Sequence, residues 1–361
     1  DRIYSDKLNN LFSSDISNEK DYDEFKKNFA SSVQKVYEYF FEKIISIILN
    51  KNFSKNLVFS GGCALNSSAN QYITSNSYFD NVYINYAPGD NGGAIGAAMI
   101  VASNFNKNFE NYKSPYLGTK YSNEEIIYLL KNHKYENKIS YETINEVKLF
   151  DHVAKIISEG NIIGWFQGKM EFGPRALGSR SIIADPRSDK MQKKLNLKVK
   201  FRESFRPFAP SILREDLIEW FDLDCDSPYM QLVSQVKKNI QIPMTEKDKN
   251  LFGIEKLNIK RSTIPAVTHV DYSARIQTVH RETNSKYYDL IKKFKEVTGC
   301  PILVNTSFNV RGEPIVCTVE DAYRCFMGTN LDLLVCENFI LYKDQQPSNL
   351  IRNYKNKFDK D

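Results

Sequence analysis

The segment from Gly164 to Pro210 constrains this chain more than any other, because it combines many basic residues with glycine and proline. Between Lys169 and Arg206, eleven lysines or arginines stand against four acids, whereas the whole 361-residue chain has a net charge of only +5. A solvated charge run or a disordered tail usually lacks the interleaved glycines, prolines and apolar residues seen here. The pattern predicts loops that bring arginine side chains and backbone N–H groups to one anion, such as a phosphate. On charge alone, a basic surface with ordinary turns remains the alternative.

Length and composition predict a globular protein of two domains. Hydrophobic residues make up 42% of the chain and aromatic residues 13%, which is ample for packed cores. The sequence pI of about 8.6 results from the basic residues of one segment. Nucleic-acid-binding proteins usually have a broad basic face, so this distribution argues against nucleic-acid binding. Six cysteines without a CxxC pair argue against a thiolate metal site and favour reduced thiols in a cytoplasmic protein. We find no signal peptide and no apolar run long enough to span a bilayer.

Two glycine-rich turns in the first 100 residues each follow a predicted strand. NLVFSGGCALN predicts a strand at 57–59, a tight turn at Gly61 and Gly62, and a helix over 63–72. NVYINYAPGDNGGAIGAA repeats this pattern. A strand that leads through glycines into a helix N-terminus lets backbone N–H groups approach a phosphate, so a nucleotide site is expected here.

Asp90 lies in the second of these turns, before a helix predicted from Ala94. Its carboxylate would either cap that helix or bind a metal ion, directly or together with a nucleotide phosphate. The spacing alone leaves both roles open.

The remaining periodicity completes a mixed α/β pattern. It predicts amphipathic or core helices over 29–49, 151–158 and 285–297 and a buried strand over 162–166. The helix over 29–49 is expected to pack on a sheet. THVDYSARIQTV, residues 268–279, alternates as a strand would, which places Asp271 and Arg275 on one face.

A further buried strand, over 302–304, runs directly into polar residues. These residues are Asn305, Thr306, Ser307, Asn309 and Arg311. So many polar groups after a buried strand are costly unless they hydrogen-bond each other or a ligand. This stretch therefore predicts part of a binding site.

Six motifs together resemble the ATP-dependent O-carbamoyltransferases of nodulation-factor and natural-product biosynthesis. They occur in that family's order: SGGCALN (60–66), PGDNGGAIGAA (88–98), QGKMEFGPRALGSRSI (167–182), KFRESFRPFAP (200–210), HVDYSARIQTV (269–279) and NTSFNVRGEPIV (305–316). One such motif is moderate support, whereas six collinear motifs identify the chain as a member of the family.

The resemblance implies an α/β (α+β) protein of two domains. Residues 1–118 would form the second half of an actin-like ATPase domain, similar to that of the tRNA threonylcarbamoyl-transfer enzyme. Residues 119–361 would form a YrdC-like domain that cleaves carbamoyl phosphate and adenylates carbamate with ATP. Carbamoyl-AMP would then pass to the actin-like domain, where a divalent metal, iron or magnesium, supports transfer to a hydroxyl of a sugar or other small molecule.

The same resemblance assigns site residues. The adenylation chemistry would use Lys169, Lys200, Arg206 and Arg275. Substrate or nucleotide would be bound by Asn305, Ser307, Arg175, Arg202, Asn309, Gly61, Gly62 and Asn66, and a metal by Asp90. Lys200-x-Arg202 and Ser307-x-Asn309 resemble the paired signatures of the adenylate-synthase fold. Fixed cations suit this chemistry because phosphates and a leaving pyrophosphate need charge neutralisation more than proton transfer.

The chain departs from the family pattern in two ways. The first half of the actin-like domain, with its phosphate loop and HxxxH metal pair, is not in the numbered sequence, and no two of the four histidines lie four residues apart. We therefore expect a piece of a longer protein or a partner chain that supplies that half. The metal site would then be incomplete, because Asp90 is a single ligand. Tyr272 also stands where the family usually has glycine, within a turn.

Three functions remain open on sequence. The first is a carbamoyltransferase with a small-molecule hydroxyl acceptor. The second is a threonylcarbamoyl-adenylate synthase of tRNA modification, which the K-x-R and S-x-N pair favours and the GPRALG and FRPFAP stretches disfavour. The third is a non-catalytic partner subunit that binds carbamoyl phosphate. In each case we expect a cytoplasmic protein without membrane contact or a nucleic-acid surface, with a homodimer as one option.

Overall fold

The computed structural model describes residues 19–75, 79–105, 114–132, 139–251 and 253–348, together with residues 354 and 358. By its contacts the chain divides into two compact units, Asp1–Leu57 with Gln71–Val82 and Val58–Asn70 with Tyr83–Asp361. The predicted domain boundary after residue 118 stays a prediction.

Helices and strands are interspersed along the chain, as expected for a mixed α/β protein. The helices of the described residues are α1 (Glu19–Lys51), α2 (Ser67–Ser75), α3 (Asp90–Ser103), α4 (Asn123–Asn132), α5 (Glu146–Ser158), α6 (Met191–Lys198), α7 (Leu217–Trp220), α8 (Glu246–Lys249), α9 (Gly253–Leu257), α10 (Ser285–Thr298) and α11 (Val319–Gly328). The strands are β1 (Asn56–Phe59), β2 (Asn81–Ile84), β3 (Glu142–Thr143), β4 (Ile163–Phe166), β5 (Arg180–Ala184), β6 (Ala209–Leu213), β7 (Leu232–Gln235), β8 (Ser273–Val279), β9 (Ile302–Ser307), β10 (Leu333–Cys336) and β11 (Phe339–Tyr342). Short 3-10 helices cover Gly62–Leu65, Arg214–Asp216, Lys238–Ile240 and Pro265–Val267.

A mixed sheet of nine strands, in the order β3-β11-β10-β4-β5-β9-β6-β8-β7, dominates the second unit. The pairs β10–β4 and β6–β8 are parallel and the others antiparallel. Every residue of β4, β5, β6 and β10 is buried, as expected for strands covered on both faces. One continuous apolar cluster surrounds this sheet, and it includes residues of α5 and α10, which pack against each other.

The strand directions bring polar segments to one end of this sheet. Strands β4, β9 and β10 run in one direction, and β5, β6 and β8 run in the opposite direction. The carboxyl ends of the first three therefore meet the amino ends of the other three. In open α/β sheets, ligands bind outside the carboxyl ends of the strands.

Helix α1 is longer than the predicted helix over 29–49, and the prediction that it packs as a core helix is wrong. Val36, Phe40 and Ile44 are 55%, 60% and 54% exposed. Among the described side chains of α1, only Phe41 and Ile45 are buried. Its apolar stripe is therefore largely uncovered within the part of the chain that the structure describes. No described helix is both long and apolar enough to cross a membrane.

Strand β8 is shorter than the predicted strand over 268–279, and Asp271 does not share a strand face with Arg275. Asp271 and Tyr272 form a turn in which the Asp271 carboxylate accepts a hydrogen bond from the Ser273 N–H at 3.0 Å. Tyr272 has a φ of +65°, a conformation that favours glycine. Its hydroxyl donates to the Ile242 carbonyl and accepts from the Met244 N–H, both at 3.1 Å. These bonds stabilise a tyrosine in a backbone conformation that favours glycine.

Candidate active site

Lys200 is the buried centre of the polar end of the nine-stranded sheet, where its side chain meets the end of β9. It is 3% exposed. Its Nζ donates to Ser307 Oγ at 3.1 Å, to the Asn309 carbonyl at 2.9 Å and to Asn309 Oδ1 at 2.7 Å, and also to the Ser307 carbonyl. The two sequence signatures thus lie in direct contact, although Lys200 and Ser307 are 107 positions apart in the sequence. Burial, and then the charge of Arg202, lower the pKa of Lys200 to about 7.

Asn196, in the last turn of α6, organises the loop that carries Lys200. Its Nδ2 donates to the Ser204 carbonyl at 3.1 Å and to the Arg206 carbonyl at 2.9 Å. Its Oδ1 accepts from Arg202 Nε at 2.7 Å. Asn196 is fully buried, so these bonds replace the water it would otherwise bind. This role could not be predicted from the sequence, because one asparagine in a basic helix matches no motif.

Three arginines extend the positive charge beyond Lys200. Arg175, Arg202 and Arg275 are partly buried, and none forms an ion pair with a carboxylate of the described residues. Burial, followed by Arg175 and Arg202, lowers the pKa of Arg275 to about 9. Burial, followed by Arg206, lowers the pKa of Arg202 to about 10. Like charges held together, with no carboxylate of the described residues in ion-pair contact, disfavour the free site and favour a bound anion.

Arg206 lies at the exposed side of this cation cluster. Its Nε is 3.1 Å from a carboxylate oxygen of Glu203, and the other oxygen accepts from Arg311 at 2.7 Å. The side chains of Arg206 and Glu203 are each 39% exposed, so solvent screens this pair. Glu203 therefore partly neutralises the charge of Arg206, one of the predicted site residues, before any ligand binds.

The loop between β4 and β5, residues 167–179, carries Arg175 and is fixed from within. The buried Glu171 carboxylate accepts from the N–H groups of Leu177 at 2.7 Å and Ser179 at 2.6 Å. At Gly178, whose φ is +105°, a Cβ would lie 2.2 Å from the Tyr287 ring. At Gly173, whose φ is +125°, it would lie 2.7 Å from the Tyr86 carbonyl oxygen. The glycines of the GPRALG motif are therefore required by close packing.

Arg180 belongs to the same motif but is structural. It is fully buried at the start of β5, with its guanidinium 3.5 Å from the centre of the Phe166 ring. It donates five hydrogen bonds to four backbone carbonyls, those of Gln167, Gly168, Ser179 and Thr119. Part of the basic excess in this segment thus supports the loop and binds no ligand.

Asn305 is buried beside the cation cluster, in a hydrogen-bonded group of side chains. Its Nδ2 donates to Gln277 Oε1 at 2.8 Å, and Gln277 Nε2 donates to the Leu177 carbonyl at 2.9 Å. Ser211 Oγ also donates to Gln277 Oε1, at 2.5 Å. Asn305 Oδ1 is buried without a hydrogen-bond partner in the described structure. Asn305 therefore supports the loop that carries Arg175 and keeps one acceptor free.

Lys169 does not lie with the other predicted cations. It is exposed and lines an open cleft of about 440 Å³ at the start of α10. The lining of that cleft includes none of Arg175, Lys200, Arg202 and Arg275.

The two glycine-rich turns of the first hundred residues contact each other. Gly61 has a φ of +97°, and its N–H donates to the Pro88 carbonyl at 2.7 Å. Gly61 and Gly62 are exposed, with open space where a Cβ would lie. Asn66 caps α2, because its Oδ1 accepts from the Ala69 N–H at 3.2 Å. Their expected contact with a nucleotide stays a prediction.

The metal ligand predicted from the resemblance stands alone. Helix α3 begins at Asp90, earlier than the predicted start at Ala94, and the Asp90 side chain is exposed. The described residues contain no group of three or more histidine, cysteine, aspartate or glutamate side chains placed to hold a metal ion. Among the described residues Asp90 is thus a single candidate ligand, which is too few to hold a divalent metal ion.

Two family models match the sequence. Residues 2–99 match the carbamoyltransferase N-terminus, and residues 154–343 match the carbamoyltransferase C-terminus. A solved structure of HypF from T. kodakarensis matches at 15% identity and a TM-score of 0.33, over 60% of this chain and 24% of that chain, which is too low to assign the fold.

Curated relatives extend this match. An uncharacterized protein of Synechocystis is 51% identical over 88% of this chain and 52% of its own length. Nodulation protein NolO of Bradyrhizobium diazoefficiens is 38% identical over 80% of this chain and 49% of its own length. The 3'-hydroxymethylcephem-O-carbamoyltransferase of Streptomyces clavuligerus is 30% identical over 74% of this chain and 45% of its own length. The chain spans about half the length of these relatives, and it belongs to the carbamoyltransferase family.

Proposed function

We propose that this chain binds carbamoyl phosphate, adenylates the derived carbamate with ATP, and contributes to transfer of the carbamoyl group to a hydroxyl of a small molecule. The observation that carries the proposal is the cluster of Lys200, Arg175, Arg202 and Arg275 at one end of the nine-stranded sheet. No carboxylate of the described residues pairs with any of these four cations. An acyl phosphate would supply the missing negative charge.

The chemistry needs little from the protein beyond positioning and charge. Water attacks the carbonyl carbon of carbamoyl phosphate, and inorganic phosphate leaves. The carbamate oxygen attacks the α-phosphorus of ATP, which releases pyrophosphate and gives carbamoyl-AMP. An acceptor hydroxyl then attacks the carbamoyl carbon, and AMP leaves. The cation cluster would stabilise the phosphate charge that develops in the first two steps.

The proposal also covers the domain architecture of the chain and its partners. Residues 1–118 would be half of an actin-like domain and residues 119–361 a YrdC-like domain, in a cytoplasmic protein. The exposed apolar residues of α3 support the view that residues 1–118 are covered by a further polypeptide segment. Ile100 and Val101 are 67% and 57% exposed, and no residue of α3 is buried. The occupant would be the preceding half of the domain, in the same protein or in a partner chain, with a second copy as the alternative.

The decisive experiment is ATP–pyrophosphate exchange by the purified 361-residue chain. Exchange is expected only when carbamoyl phosphate is present, because carbamate is the group to be adenylated. Threonine should not increase it. Exchange that requires threonine would favour a threonylcarbamoyl-adenylate synthase, consistent with the contact of Lys200 with Ser307 and Asn309. Binding of carbamoyl phosphate without exchange would favour a non-catalytic subunit.

Carbamoyl phosphate binding is expected to weaken as the pH rises above 7. Lys200 has a pKa of about 7 when the site is empty, in surroundings that include Arg202, Glu313 and Cys325. A bound anion favours the protonated amine and raises that pKa, so binding takes up a proton. Affinity should fall by up to about tenfold per pH unit between pH 7 and 9. Titration calorimetry in two buffers of different ionisation enthalpy measures the proton uptake.

The variant Lys200→Arg provides the control for this pH dependence. Arginine stays charged throughout the range, so its affinity should change little with pH. The same pH slope in both proteins would show that another group, such as the ligand, is responsible.

A further inference from the structure

We infer that His269 is the proton acceptor for the water that attacks carbamoyl phosphate. This inference rests on the proposed function, in which the attacking water has to lose a proton. His269 lies in the turn that directly precedes β8, the strand that carries Arg275. Its side chain is half-buried and contacts Ser273, the first residue of that strand.

Ser273 lies on the same face of the sheet as Ser307, which contacts Lys200. Asn305 and Gln277 define this face, because Asn305 Nδ2 donates to Gln277 Oε1 at 2.8 Å. Residues two or four positions apart on a strand lie on the same face. Ser307 therefore shares the face with Asn305 in β9, and Ser273 shares it with Gln277 in β8.

The strand register places the turn before β8 next to the cation cluster. Strand β6 lies between β9 and β8, and its pairing sets Ala209 between Asn305 and Arg275. Ser307 is two residues after Asn305, and Ser273 is two residues before Arg275. Because β9 is antiparallel to β6 and β8 is parallel to it, the two serines are level with each other. They are two strands apart, which is about 10 Å at the usual strand spacing.

Asp271 and Ser273 determine which nitrogen of the His269 ring carries the hydrogen. Ser273 Oγ donates to Asp271 Oδ1 at 2.7 Å, because a carboxylate oxygen can only accept. That bond uses the one hydrogen of the hydroxyl, so His269 Nδ1, at 3.0 Å from Ser273 Oγ, donates to it. The lone pair of the neutral ring is then on Nε2, which makes no hydrogen bond to the described residues.

The backbone of His269 is fixed as well. Its N–H donates to the Ser273 carbonyl at 2.8 Å. Its carbonyl accepts from the Tyr272 N–H and from Arg261 Nε, both at 3.1 Å. Arg261 is only 2% exposed, so this support is itself buried. A base that is held in one orientation before the substrate binds lowers the entropic cost of the reaction.

The charged groups around His269 favour its neutral ring. Burial lowers the pKa of His269, and the charges of Arg275 and Arg261 lower it further, against the opposite effect of Asp271. At neutral pH the ring is therefore an acceptor, beside a cluster of lysine and arginine side chains that can only donate. A bound phosphate would favour the protonated ring, so the substrate itself strengthens the base.

The proton transfer belongs to the first step of the proposed reaction. His269 Nε2 takes a proton from the water as the water oxygen bonds to the carbonyl carbon. The bond between that carbon and the phosphate oxygen breaks, and the imidazolium returns its proton to the leaving phosphate. The carbamic acid releases the second proton of the water to solvent and becomes carbamate. Adenylation needs no such base, because carbamate is already ionised.

The test separates hydrolysis from adenylation in the full 361-residue chain. Phosphate release from carbamoyl phosphate is measured directly, and ATP–pyrophosphate exchange is measured with carbamoyl phosphate or with freshly dissolved ammonium carbamate. His269→Gln is expected to lower phosphate release and carbamoyl-phosphate-dependent exchange by about 10²-fold or more, the usual contribution of a positioned base. Its carbamate-dependent exchange should change less than about twofold, because added carbamate bypasses the attack of water.

Two further variants and a pH profile sharpen the test. Ser273→Ala keeps the ring of His269 but no longer fixes its tautomer, so it should show a smaller loss of the same kind. His280→Gln is the matched control, because His280 follows the opposite end of β8, and all three rates should stay unchanged. At saturating carbamoyl phosphate, phosphate release by the unmodified chain should fall as the pH drops through the lowered pKa of His269. This acid limb should be absent in His269→Gln.

The possible outcomes separate this inference from the proposed function. Equal losses of exchange with carbamoyl phosphate and with carbamate in His269→Gln would overturn the inference, since they would indicate general damage to the site. Unchanged phosphate release in that variant would also overturn it. In both cases exchange by the unmodified chain leaves the proposed function standing. An unmodified chain that releases phosphate but supports no exchange would reject adenylation, and the effect of His269→Gln on phosphate release would still decide the inference.

Discussion

Replacing Arg275 by alanine is expected to lower carbamoyl-phosphate-dependent exchange by about 10²–10³-fold, the usual loss when one charged donor to a reacting anion is removed. The free energy of unfolding of the ligand-free protein should stay the same or rise. Arg275 is held near Arg175 and Arg202, which with burial lower its pKa to about 9, so removing it relieves repulsion. Residues that bind ligand at the expense of stability are typical of functional sites. Exchange kinetics and urea denaturation measure the two effects.

The matched control for Arg275 is Arg281→Ala. Arg281 is 63% exposed at its side chain, stacks near Tyr288 and approaches Asp289, so its loss should leave exchange nearly unchanged. Arg275→Lys keeps the charge and should recover part of the activity. If Arg275→Ala exchanged as fast as the unmodified chain, the cation cluster could not be the adenylation site.

Replacing Arg180 by methionine is expected to destabilise the fold by about 3–5 kcal/mol, the usual cost of removing one partner of a buried charged group. The change removes the hydrogen bonds that Arg180 donates to the carbonyls of Gln167 and Gly168. The Thr119 carbonyl also loses its bond from Arg180 but keeps that from the Met170 N–H. It also removes the cation that offsets the buried Glu171 carboxylate, whose pKa burial already raises. Urea denaturation, followed by tryptophan fluorescence, measures the loss because Trp165 donates to the Gly178 carbonyl in the same loop.

An exposed arginine gives the control for this effect. Arg281 lies 3.6 Å from Asp289 with its side chain 63% exposed, so Arg281→Met should cost at most about 1 kcal/mol. Equal losses of unfolding free energy in the two variants would mean that the buried hydrogen bonds of Arg180 contribute no more to stability than an exposed side chain does.

Local patterns predicted much of this molecule. The strand that precedes the basic segment and the helix over 285–297 are found close to their predicted positions. Strand β9, however, continues through Asn305, Thr306 and Ser307, beyond the predicted strand over 302–304. Patterns of this kind depend on periodicity and on turn residues, which act within a few positions. The contact of Lys200 with Ser307 and Asn309 is long-range and was expected only through the family resemblance.

Three features could not be predicted, each for a physical reason. Arg175 and Arg180 lie five positions apart in one motif, and only the three-dimensional fold shows that one joins the cation cluster while the other is buried under the loop. The cleft at the start of α10 combines residues from three distant segments, of which only Lys169 had been a candidate. The apolar stripe of α1 has helical periodicity, but periodicity does not say whether another element covers it.

The placement of β10 beside β4 makes the site a late product of protein synthesis. Ile162, just before β4, donates to the Asp332 carboxylate at 2.7 Å across 170 positions, and β10 then pairs in parallel with β4. A ribosome must therefore release β10 before β4 has both of its neighbours in the sheet, and Asn309 before Lys200 has all its acceptors. Contacts of such high sequence separation make folding slow. A nascent chain that ends before β10 leaves an edge of β4 exposed, which chaperones would need to cover. A chain that ends before Asn309 also lacks a complete anion site.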